Sequence, residues 1–231
     1  MTVAQYDEIG EEYAKYGPYQ TFHKYAVYPR FFGLIGDVQG QWILDLACGD
    51  GYIGRELVAR GARMVVGIDE SRVMLDIATR NNPYPWNTEF HWGRVGSLGP
   101  VGSFSRITGG YVLHYSSSKD ELSRMISDIK ENLLPGGIFF GINTDPLKVE
   151  RKFGRKLKPG ERLEWRVENF KPFFNYFWPR EVYDELFRGA GFSIEWIGPT
   201  PTEEGLQLHA AEWWTMELAA KPLALLKCVR L

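Results

Sequence analysis

A glycine-rich segment beginning near residue 43 has the clearest capacity for chemistry. Residues 43–54 are an apolar run followed by Gly49, Gly51 and Gly54, which open a helical pattern. Glycines permit a tight turn and close approach of a ligand to the backbone, and the first turn of a helix offers unpaired N–H groups. Asp69 ends the next apolar run, where an acidic residue commonly binds ribose hydroxyls. This combination predicts a site for a nucleoside-type cofactor.

Asp45, just before the glycine loop, distinguishes between the possible cofactors. A carboxylate in that position would repel a pyrophosphate, whereas it would stabilise an ammonium or sulfonium group. A dinucleotide-dependent dehydrogenase is therefore disfavoured, and a positively charged cofactor is favoured.

The surrounding elements alternate between strand and helix patterns, which predicts an α/β fold with a mainly parallel sheet covered on both faces. A short connection between the last two strands favours an antiparallel end of the sheet. Strand patterns occupy residues 41–47, 63–69, 88–93, 104–113, 138–144, 192–198 and 223–231. Helical patterns occupy residues 52–60, 71–81, 119–134, 179–191 and 203–219, and residues 2–36 form two helices broken at Gly17-Pro18.

Composition places the chain among ordinary globular proteins. Its 231 residues fit one domain, 1–231, and the net charge of −2 gives no general attraction to nucleic acid or to an anionic membrane. The two cysteines cannot form a disulfide framework, and no apolar run is long enough to span a membrane. The acidic N-terminal residues lack the apolar core of a signal peptide, so we expect a cytoplasmic protein.

Three motifs resemble those of the class I S-adenosylmethionine (SAM) methyltransferases. Asp45-x-Ala47-x-Gly49-x-Gly51 is similar to their first motif, residues 65–69 (Val-Val-Gly-Ile-Asp) to their second, and residues 133–137 (Leu-Leu-Pro-Gly-Gly) to the turn before their fifth strand. The resemblance extends over essentially the whole chain and implies a Rossmann-like, seven-stranded mixed sheet. Its strand order would be 3-2-1-4-5-7-6, with strand 7 antiparallel.

Further residues resemble a bacterial subgroup that methylates small natural products, of the toxoflavin N-methyltransferase type. They are Tyr6-Asp7-x-Ile9-x-x-x-Tyr13, residues 111–115 (Tyr-Val-Leu-His-Tyr) and Gly191-Phe192. This resemblance implies a small-molecule acceptor, while the acceptor atom and the oligomeric state remain open.

The family resemblance also implies a set of cofactor contacts. Asp45 and the backbone near Ala47 and Gly49 would hold the methionine part, and Asp69 would take the ribose hydroxyls. Tyr13 is a candidate for the cofactor carboxylate, or else it packs a lid. The full expected set is Tyr13, Asp45, Ala47, Cys48, Gly49, Gly51, Asp69, Glu70, Met74, Arg94, Val95, Gly110 and Tyr111. No metal ligand is expected.

Arg94 departs from the family pattern, because an acidic residue usually accepts the adenine amino group there. Arginine cannot accept a hydrogen bond. Its guanidinium could stack on the adenine, or it could point away while the Val95 N–H contacts the ring; a shift of the segment by one or two residues is a third possibility. The departure also leaves open a SAM-binding protein without catalytic activity.

His114 is the histidine with the best claim to catalysis, since the resemblance places it near the methyl donor. It could act as a general base or hold the substrate or cofactor by a hydrogen bond. Methyl transfer from a sulfonium often needs only alignment and exclusion of water, so a base is not required.

Two aromatic-rich segments are predicted to cover the site: an N-terminal helical lid, 1–36, and an inserted segment, 145–180. Flat side chains with a polar tip suit an aromatic or heteroaromatic acceptor, although the same residues could simply pack onto the domain. The expected substrate contacts are Tyr19, Phe173, Phe174 and Tyr176.

A basic run at 148–162 supports one alternative, an RNA methyltransferase. Such runs are more often solvated connectors, and no added RNA-binding module is present. We therefore expect a small-molecule substrate, without a nucleic-acid or membrane partner.

Overall fold

The chain folds around a central seven-stranded sheet of the order β3-β2-β1-β4-β5-β9-β8. The computed structural model describes residues 4–16, 20–166 and 171–231. Strands β1 to β5 are mutually parallel, whereas β9 is antiparallel to both β5 and β8. The predicted fold class and strand order are confirmed, with β8 and β9 as the sixth and seventh strands of the sheet. The sheet strands are β1 (Trp42–Leu46), β2 (Met64–Asp69), β3 (Thr88–Trp92), β4 (Phe104–Gly110), β5 (Leu133–Thr144), β8 (Phe192–Ile197) and β9 (Leu223–Arg230).

Helices cover both faces of the sheet, which is why the central strands are apolar on both sides. One face packs against helices α5 and α7 through a cluster that includes Ile126, Ile129 and Phe187. The other packs against α2, α3 and α9 through Phe31, Leu57 and Trp214. The helices are α1 (Gln5–Tyr16), α2 (Tyr28–Ile35), α3 (Tyr52–Ala59), α4 (Arg72–Arg80), α5 (Lys119–Asn132), α6 (Pro146–Phe153), α7 (Arg180–Gly189), α8 (Glu203–Leu208) and α9 (Ala211–Ala220).

The regular aromatic spacing of the N-terminal segment comes from helical packing. A π-helical turn, His23–Val27, leads directly into α2. Phe22, Tyr28 and Phe31 all belong to the second core cluster. Tyr19 and the Gly17-Pro18 break lie outside the described residues.

Residues 145–178 contain more regular structure than the polar sequence indicated. Asp145 caps α6 by accepting the Leu147 N–H, and Gly154 ends that helix in the left-handed conformation. A two-stranded antiparallel hairpin follows, β6 (Glu161–Trp165) and β7 (Phe173–Phe177), separate from the main sheet. The capping signals were readable, but β6 carries three charged residues and β7 is almost wholly aromatic, so neither shows the alternation of a half-buried strand and their pairing was missed.

Other boundaries also differ from the sequence predictions. The strand predicted at 104–113 ends at Gly110. Strand β5 already begins at Leu133, because Phe104 pairs with Leu133 across an irregularity before the regular ladder resumes. The helical stretch predicted at 203–219 is two helices interrupted at His209 and Ala210. Among the described residues, none of the helices is long and apolar enough to cross a membrane.

Candidate functional site

A cavity lies at the carboxyl edge of the sheet, where the loops after β1, β2 and β4 converge with helix α1. It encloses about 1060 Å³ of atom-free space, counting its open mouth. Open α/β sheets place ligands at this edge because successive loops diverge there.

The loop after β1 forms one wall of the cavity with an unusual backbone. Gly49 and Gly51 have φ values of +56° and +77°, and Ala47, which carries a Cβ, has φ +53°. Such a non-glycine conformation is strained and is found most often at functional sites. The Gly49 N–H donates to Asp69 Oδ2 over 2.8 Å, and the Ser71 N–H donates to Asp69 Oδ1 over 2.8 Å. The Asp69 carboxylate therefore fixes both the loop and the start of α4, where Ser71 is the predicted N-cap.

Asp45 is fully buried at the carboxyl end of β1. Its Oδ1 accepts a hydrogen bond from the Thr108 hydroxyl at 2.7 Å. Its Oδ2 is also buried and has no partner among the described residues. Desolvation raises the pKa of Asp45 to about 7, and the neighbouring Asp69 and Asp50 add to the shift, although the Thr108 bond opposes it. An incompletely satisfied acid of this kind is suited to a cationic group of a ligand.

Most of the predicted cofactor residues come together in the cavity wall. The described lining residues include Tyr13, Ala47, Cys48, Gly49, Asp69, Glu70, Met74, Arg94, Val95, Gly110 and Tyr111. Asp45 and Gly51 are not among them. Their contacts with a cofactor, like those of the lining residues, remain predictions.

Arg94 lies at the cavity with about half of its side chain exposed. Its Nη2 donates to Glu121 Oε1 at 2.8 Å, and its Nε lies 3.6 Å from Glu70 Oε2. The guanidinium thus joins two carboxylates from α5 and from the end of β2. Neither sequence alternative, stacking on adenine or pointing away, is decided by these contacts.

We expect Arg94→Ala to change the affinity for S-adenosylhomocysteine less than about threefold, because a half-exposed ion pair is worth only ~0–1 kcal/mol. Isothermal titration calorimetry measures the affinity. Alanine is a cleaner replacement than aspartate, which would place a third carboxylate beside Glu70 and Glu121. A loss of affinity above tenfold would show that the guanidinium itself holds the adenosine.

His114 is buried one layer behind the cavity and is not among its described lining residues. Its Nδ1 lies 2.9 Å from Asn143 Oδ1, and its ring is 4.7 Å from that of Tyr115. Burial lowers the pKa of His114 to about 4, although the Asn143 bond opposes the shift, so the imidazole is neutral at pH 7. In this arrangement His114 supports Tyr115, and its catalytic role stays a prediction.

Tyrosines form a part of the wall that the sequence patterns did not assign to binding. Four tyrosines among the described lining residues were not predicted as contacts: Tyr6, Tyr28, Tyr52 and Tyr115. The hydroxyls of Tyr6, on α1, and Tyr115, after β4, form a hydrogen bond of 2.7 Å. The available signals were the motifs that contain Tyr6 and Tyr115, and the position of Tyr52 directly after the glycine loop.

Three of the four residues predicted to contact the substrate do not line the cavity, and the fourth is not described. Phe173, Phe174 and Tyr176 belong to β7, are partly buried and are not among the described lining residues; Tyr19 lies outside the described chain. Tyr176 packs against the main core cluster, and the Arg162 guanidinium lies 3.7 Å from the Phe174 ring centre. Their contribution to substrate binding remains a prediction that these contacts do not favour.

Three polar connections from the first residues of helix α1 fasten it over the cavity. The Gln5 side chain accepts the Phe174 N–H at 2.7 Å and donates to the Phe174 carbonyl at 3.3 Å, as a neighbouring strand would. Asp7 Oδ1 accepts the Ser71 hydroxyl at 2.7 Å. The Tyr6–Tyr115 bond is the third. Helix α1 thus forms a roof over the cavity that is bonded to the β6–β7 hairpin, to the start of α4 and to the loop after β4.

The basic run at 148–162 is largely engaged within the protein. Lys156 and Arg155 pair with Glu150 and Glu161, and Lys148 donates to the Leu218 carbonyl at 2.8 Å. Lys152 and Arg162 lie over aromatic rings. These contacts are typical of a folded connector.

Comparison with known proteins relates these features to methyltransferases. Residues 43–137 match the family model described as a methyltransferase domain. The chain is 25% identical over 181 residues to N-demethylindolmycin N-methyltransferase of Streptomyces griseus, covering 70% of this chain and 74% of that relative. This chain is a SAM-dependent methyltransferase. Its cofactor is SAM, as the sequence motifs predicted.

Two further similarities bear on the methyltransferase fold and its range of substrates. A solved SAM-dependent methyltransferase from Mesorhizobium loti superposes with a TM-score of 0.69 at 19% identity, over 92% of this chain and 99% of that one. At that identity the likeness establishes the fold alone. The chain is also 30% identical over 139 residues to tRNA U34 carboxymethyltransferase of Haemophilus influenzae, a match that spans 55% of this chain and 39% of that relative.

The residues present fit SAM. Asp45 directly precedes the loop, and its buried Oδ2, unpartnered among the described residues, would stabilise a cationic group of SAM there. Glycines in the cavity wall leave room for the ligand. A Cβ on Gly49 would lie 3.2 Å from Met74 Cε, and one on Gly110 would lie 2.9 Å from Ile53 Cδ1. Larger side chains at either position would intrude on the cavity.

Proposed function

We propose that this methyltransferase transfers a methyl group to a small aromatic or heteroaromatic metabolite of natural-product biosynthesis. The observation that carries the proposal is the cavity itself: a roofed site whose described lining includes six tyrosines. The relative named for N-demethylindolmycin, which matches most of its own length, supports the same class of acceptor. Both cysteines are free thiols, which suits the cytoplasm as the proposed place of action.

The chain's own residues would bind, orient and exclude water. When bound, SAM supplies a methyl group on a sulfonium sulfur, which needs little further activation. Asp45 and the loop backbone at Ala47 and Gly49 would hold its amino acid end, and Asp69 and Glu70 its ribose. The 1–36 and 145–180 segments would act as lids that keep the acceptor aligned in a dry site.

A SAM-dependent transfer assay tests this proposal. We expect SAM and S-adenosylhomocysteine to bind in the micromolar range by calorimetry, and NAD not to bind. Labelled methyl from SAM should appear in a small-molecule fraction of a host extract and should be absent from RNA. Methylated RNA without a methylated metabolite would contradict the proposed acceptor class.

The described lid residues give a second expected result. Phe174→Ala should leave acceptor KM within about twofold of wild type, whereas Tyr115→Phe should raise it, because only the second side chain is among the described lining residues. The measurement is steady-state kinetics at saturating SAM, with the acceptor that the extract assay identifies. If KM rose strongly for Phe174→Ala and not for Tyr115→Phe, we would conclude that the β6–β7 hairpin, rather than the tyrosine wall, contacts the acceptor.

The tRNA relatives support a second candidate, an RNA methyltransferase. Their similarity covers well under half of their own length, so it does not extend to their whole activity. The intramolecular contacts of the 148–162 run leave few cations there for phosphates. The extract experiment, with RNA and small molecules separated, distinguishes the two.

A further inference from the structure

A continuous series of aromatic rings follows the cavity. It consists of six tyrosines that line the cavity and two histidines that do not, the buried His114 and the partly buried His23. Tyrosines are among the side chains best suited to hold a cation, because the ring face carries negative electrostatic potential. The ring-centre distances are Tyr13–Tyr6 5.3 Å, Tyr6–Tyr115 6.0 Å, Tyr115–His114 4.7 Å, His114–Tyr111 6.1 Å, Tyr111–His23 6.0 Å, His23–Tyr28 6.0 Å and Tyr28–Tyr52 4.7 Å.

This aromatic wall is uncharged at neutral pH. Desolvation lowers the pKa of both His23 and His114 to about 4, so both are neutral. Burial raises the pKa of Tyr6, Tyr28 and Tyr111 well above the usual value, so their hydroxyls keep their protons. The wall therefore brings no positive charge to the cavity.

The charged side chains in the rest of the described lining are mostly acidic. Asp50, Asp69, Glu70 and Glu121 contribute carboxylates, and Arg94 is the one basic side chain among the described lining residues. Arg94 is already bound to Glu121. An anionic ligand placed against the tyrosines would thus find no unpaired cation among the described lining residues, whereas a cationic ligand would be stabilised.

The Tyr111 hydroxyl supplies a polar contact in the same wall. It is buried and has no hydrogen-bond partner among the described residues. The backbone of Tyr111 is held in the left-handed region, φ +64°, and its N–H donates to the Ile142 carbonyl at 2.7 Å. A strained residue with an unpaired buried hydroxyl at a cavity wall is best explained by a ligand that completes its hydrogen bonding.

We propose that the methyl acceptor is a nitrogen compound that becomes cationic on methylation, and that the tyrosines hold the charge. The nitrogen lone pair forms the new N–C bond while the C–S bond breaks and its electron pair goes to the sulfur. Where the nitrogen carries a hydrogen, Tyr111 Oη accepts that N–H and orients the lone pair, and the proton is later lost to water. The inference rests on the proposed small-molecule function and names its substrate class.

Calorimetry with three probes of similar size, on protein saturated with S-adenosylhomocysteine, measures which charge the tyrosine wall binds. They are benzyltrimethylammonium, a fixed cation; benzyldimethylamine, which carries one N–H and is protonated at pH 7; and phenylacetate, an anion. We expect both cations to bind and phenylacetate not to bind. Phenylacetate binding as tightly as the cations would overturn the proposal, and so would absence of cation binding.

Variants assign the binding to the rings and to the hydroxyl. Tyr6→Leu should weaken both cations roughly tenfold, whereas Tyr6→Phe should weaken them less than about threefold, because phenylalanine keeps the ring face. Tyr111→Phe should weaken benzyldimethylamine roughly fivefold or more and leave benzyltrimethylammonium unchanged. Equal losses for Phe and Leu at Tyr6, or for both cations at Tyr111, would contradict these roles.

Trp86→Leu is the matched control, because Trp86 is 89% exposed and is not among the described cavity residues. We expect it to change neither affinity. Circular dichroism melting would show that each variant is folded. Intact S-adenosylhomocysteine binding with failed cation binding overturns the nitrogen assignment alone, whereas failure of S-adenosylhomocysteine to bind would count against the methyltransferase site.

Discussion

Asp45→Asn is expected to weaken S-adenosylhomocysteine binding by roughly 10- to 100-fold and, at the same time, to stabilise the ligand-free protein. The first effect follows from loss of a charge-assisted contact to the ligand ammonium, direct or through one water, worth about 1.5–3 kcal/mol. The second follows because a buried carboxylate with an unpartnered oxygen is costly, and asparagine keeps an oxygen for the Thr108 hydroxyl. Calorimetry and thermal melting measure the two effects.

The pH dependence of this variant has a definite sign. Burial raises the folded-state pKa of Asp45 from its ordinary value of 3.8 to about 7, so the folded chain binds the proton more tightly than the unfolded chain does. The carboxyl therefore costs stability increasingly as pH rises from about 4 to 7, and fully above 7. We expect the gain in melting temperature to be largest at pH 8 and to vanish near pH 4. Wild-type affinity for S-adenosylhomocysteine should fall as pH drops below 7, more steeply than that of the variant.

Asp128→Asn is a matched control for the buried charge. Asp128 is also buried, but its oxygens accept three backbone N–H groups, from Gly96, Leu98 and Gly99. The Asp128→Asn variant should have a lower melting temperature and unchanged affinity for S-adenosylhomocysteine, which is the reverse of what we expect for Asp45→Asn. Unchanged affinity in Asp45→Asn, together with the stability gain, would mean that Asp45 does not serve the cofactor.

Gly49→Val is expected to reduce S-adenosylhomocysteine affinity more than 100-fold. Gly49 has φ +56°, and a Cβ there would already lie 3.2 Å from Met74 Cε, with the two further methyl groups of valine directed into the crowded loop. Valine is disfavoured in that conformation, so the loop that should meet the cofactor would also shift. Calorimetry gives the affinity, and circular dichroism shows whether the fold is retained.

Gly136→Val separates backbone strain from obstruction of the site. Gly136 has φ +74°, is exposed, and a Cβ there would meet nothing within 4 Å. The Gly136→Val variant should lose about as much stability through backbone strain as Gly49→Val does, but it should keep full affinity for S-adenosylhomocysteine. If both variants lost affinity equally, or if Gly49→Val bound normally, the close approach of ligand to Gly49 would be refuted.

The fold class and the cofactor were both predictable from the order of residues along the chain. Strand and helix periodicities are local, and the loop motif requires glycine at fixed positions, so the order of residues along the chain is enough to place Asp45, Gly49 and Asp69 at one sheet edge. Ser71 as an N-cap was equally local, because its side chain bonds to Met74 N within the same turn. The predicted strand order then followed from the family resemblance and is confirmed.

The tertiary structure alone decided which aromatic residues face the cavity. The sequence favoured the cluster in β7 because its aromatics are dense, but that density serves hairpin packing and the contact with Gln5. Tyr6, Tyr28, Tyr52 and Tyr115 come from four separate segments, and only chain folding brings their rings to one wall. Likewise the pairing of Arg94 with Glu121, 27 positions away, has no local signature. Local patterns fix elements, whereas side chains that meet across elements depend on packing directions that no single segment contains.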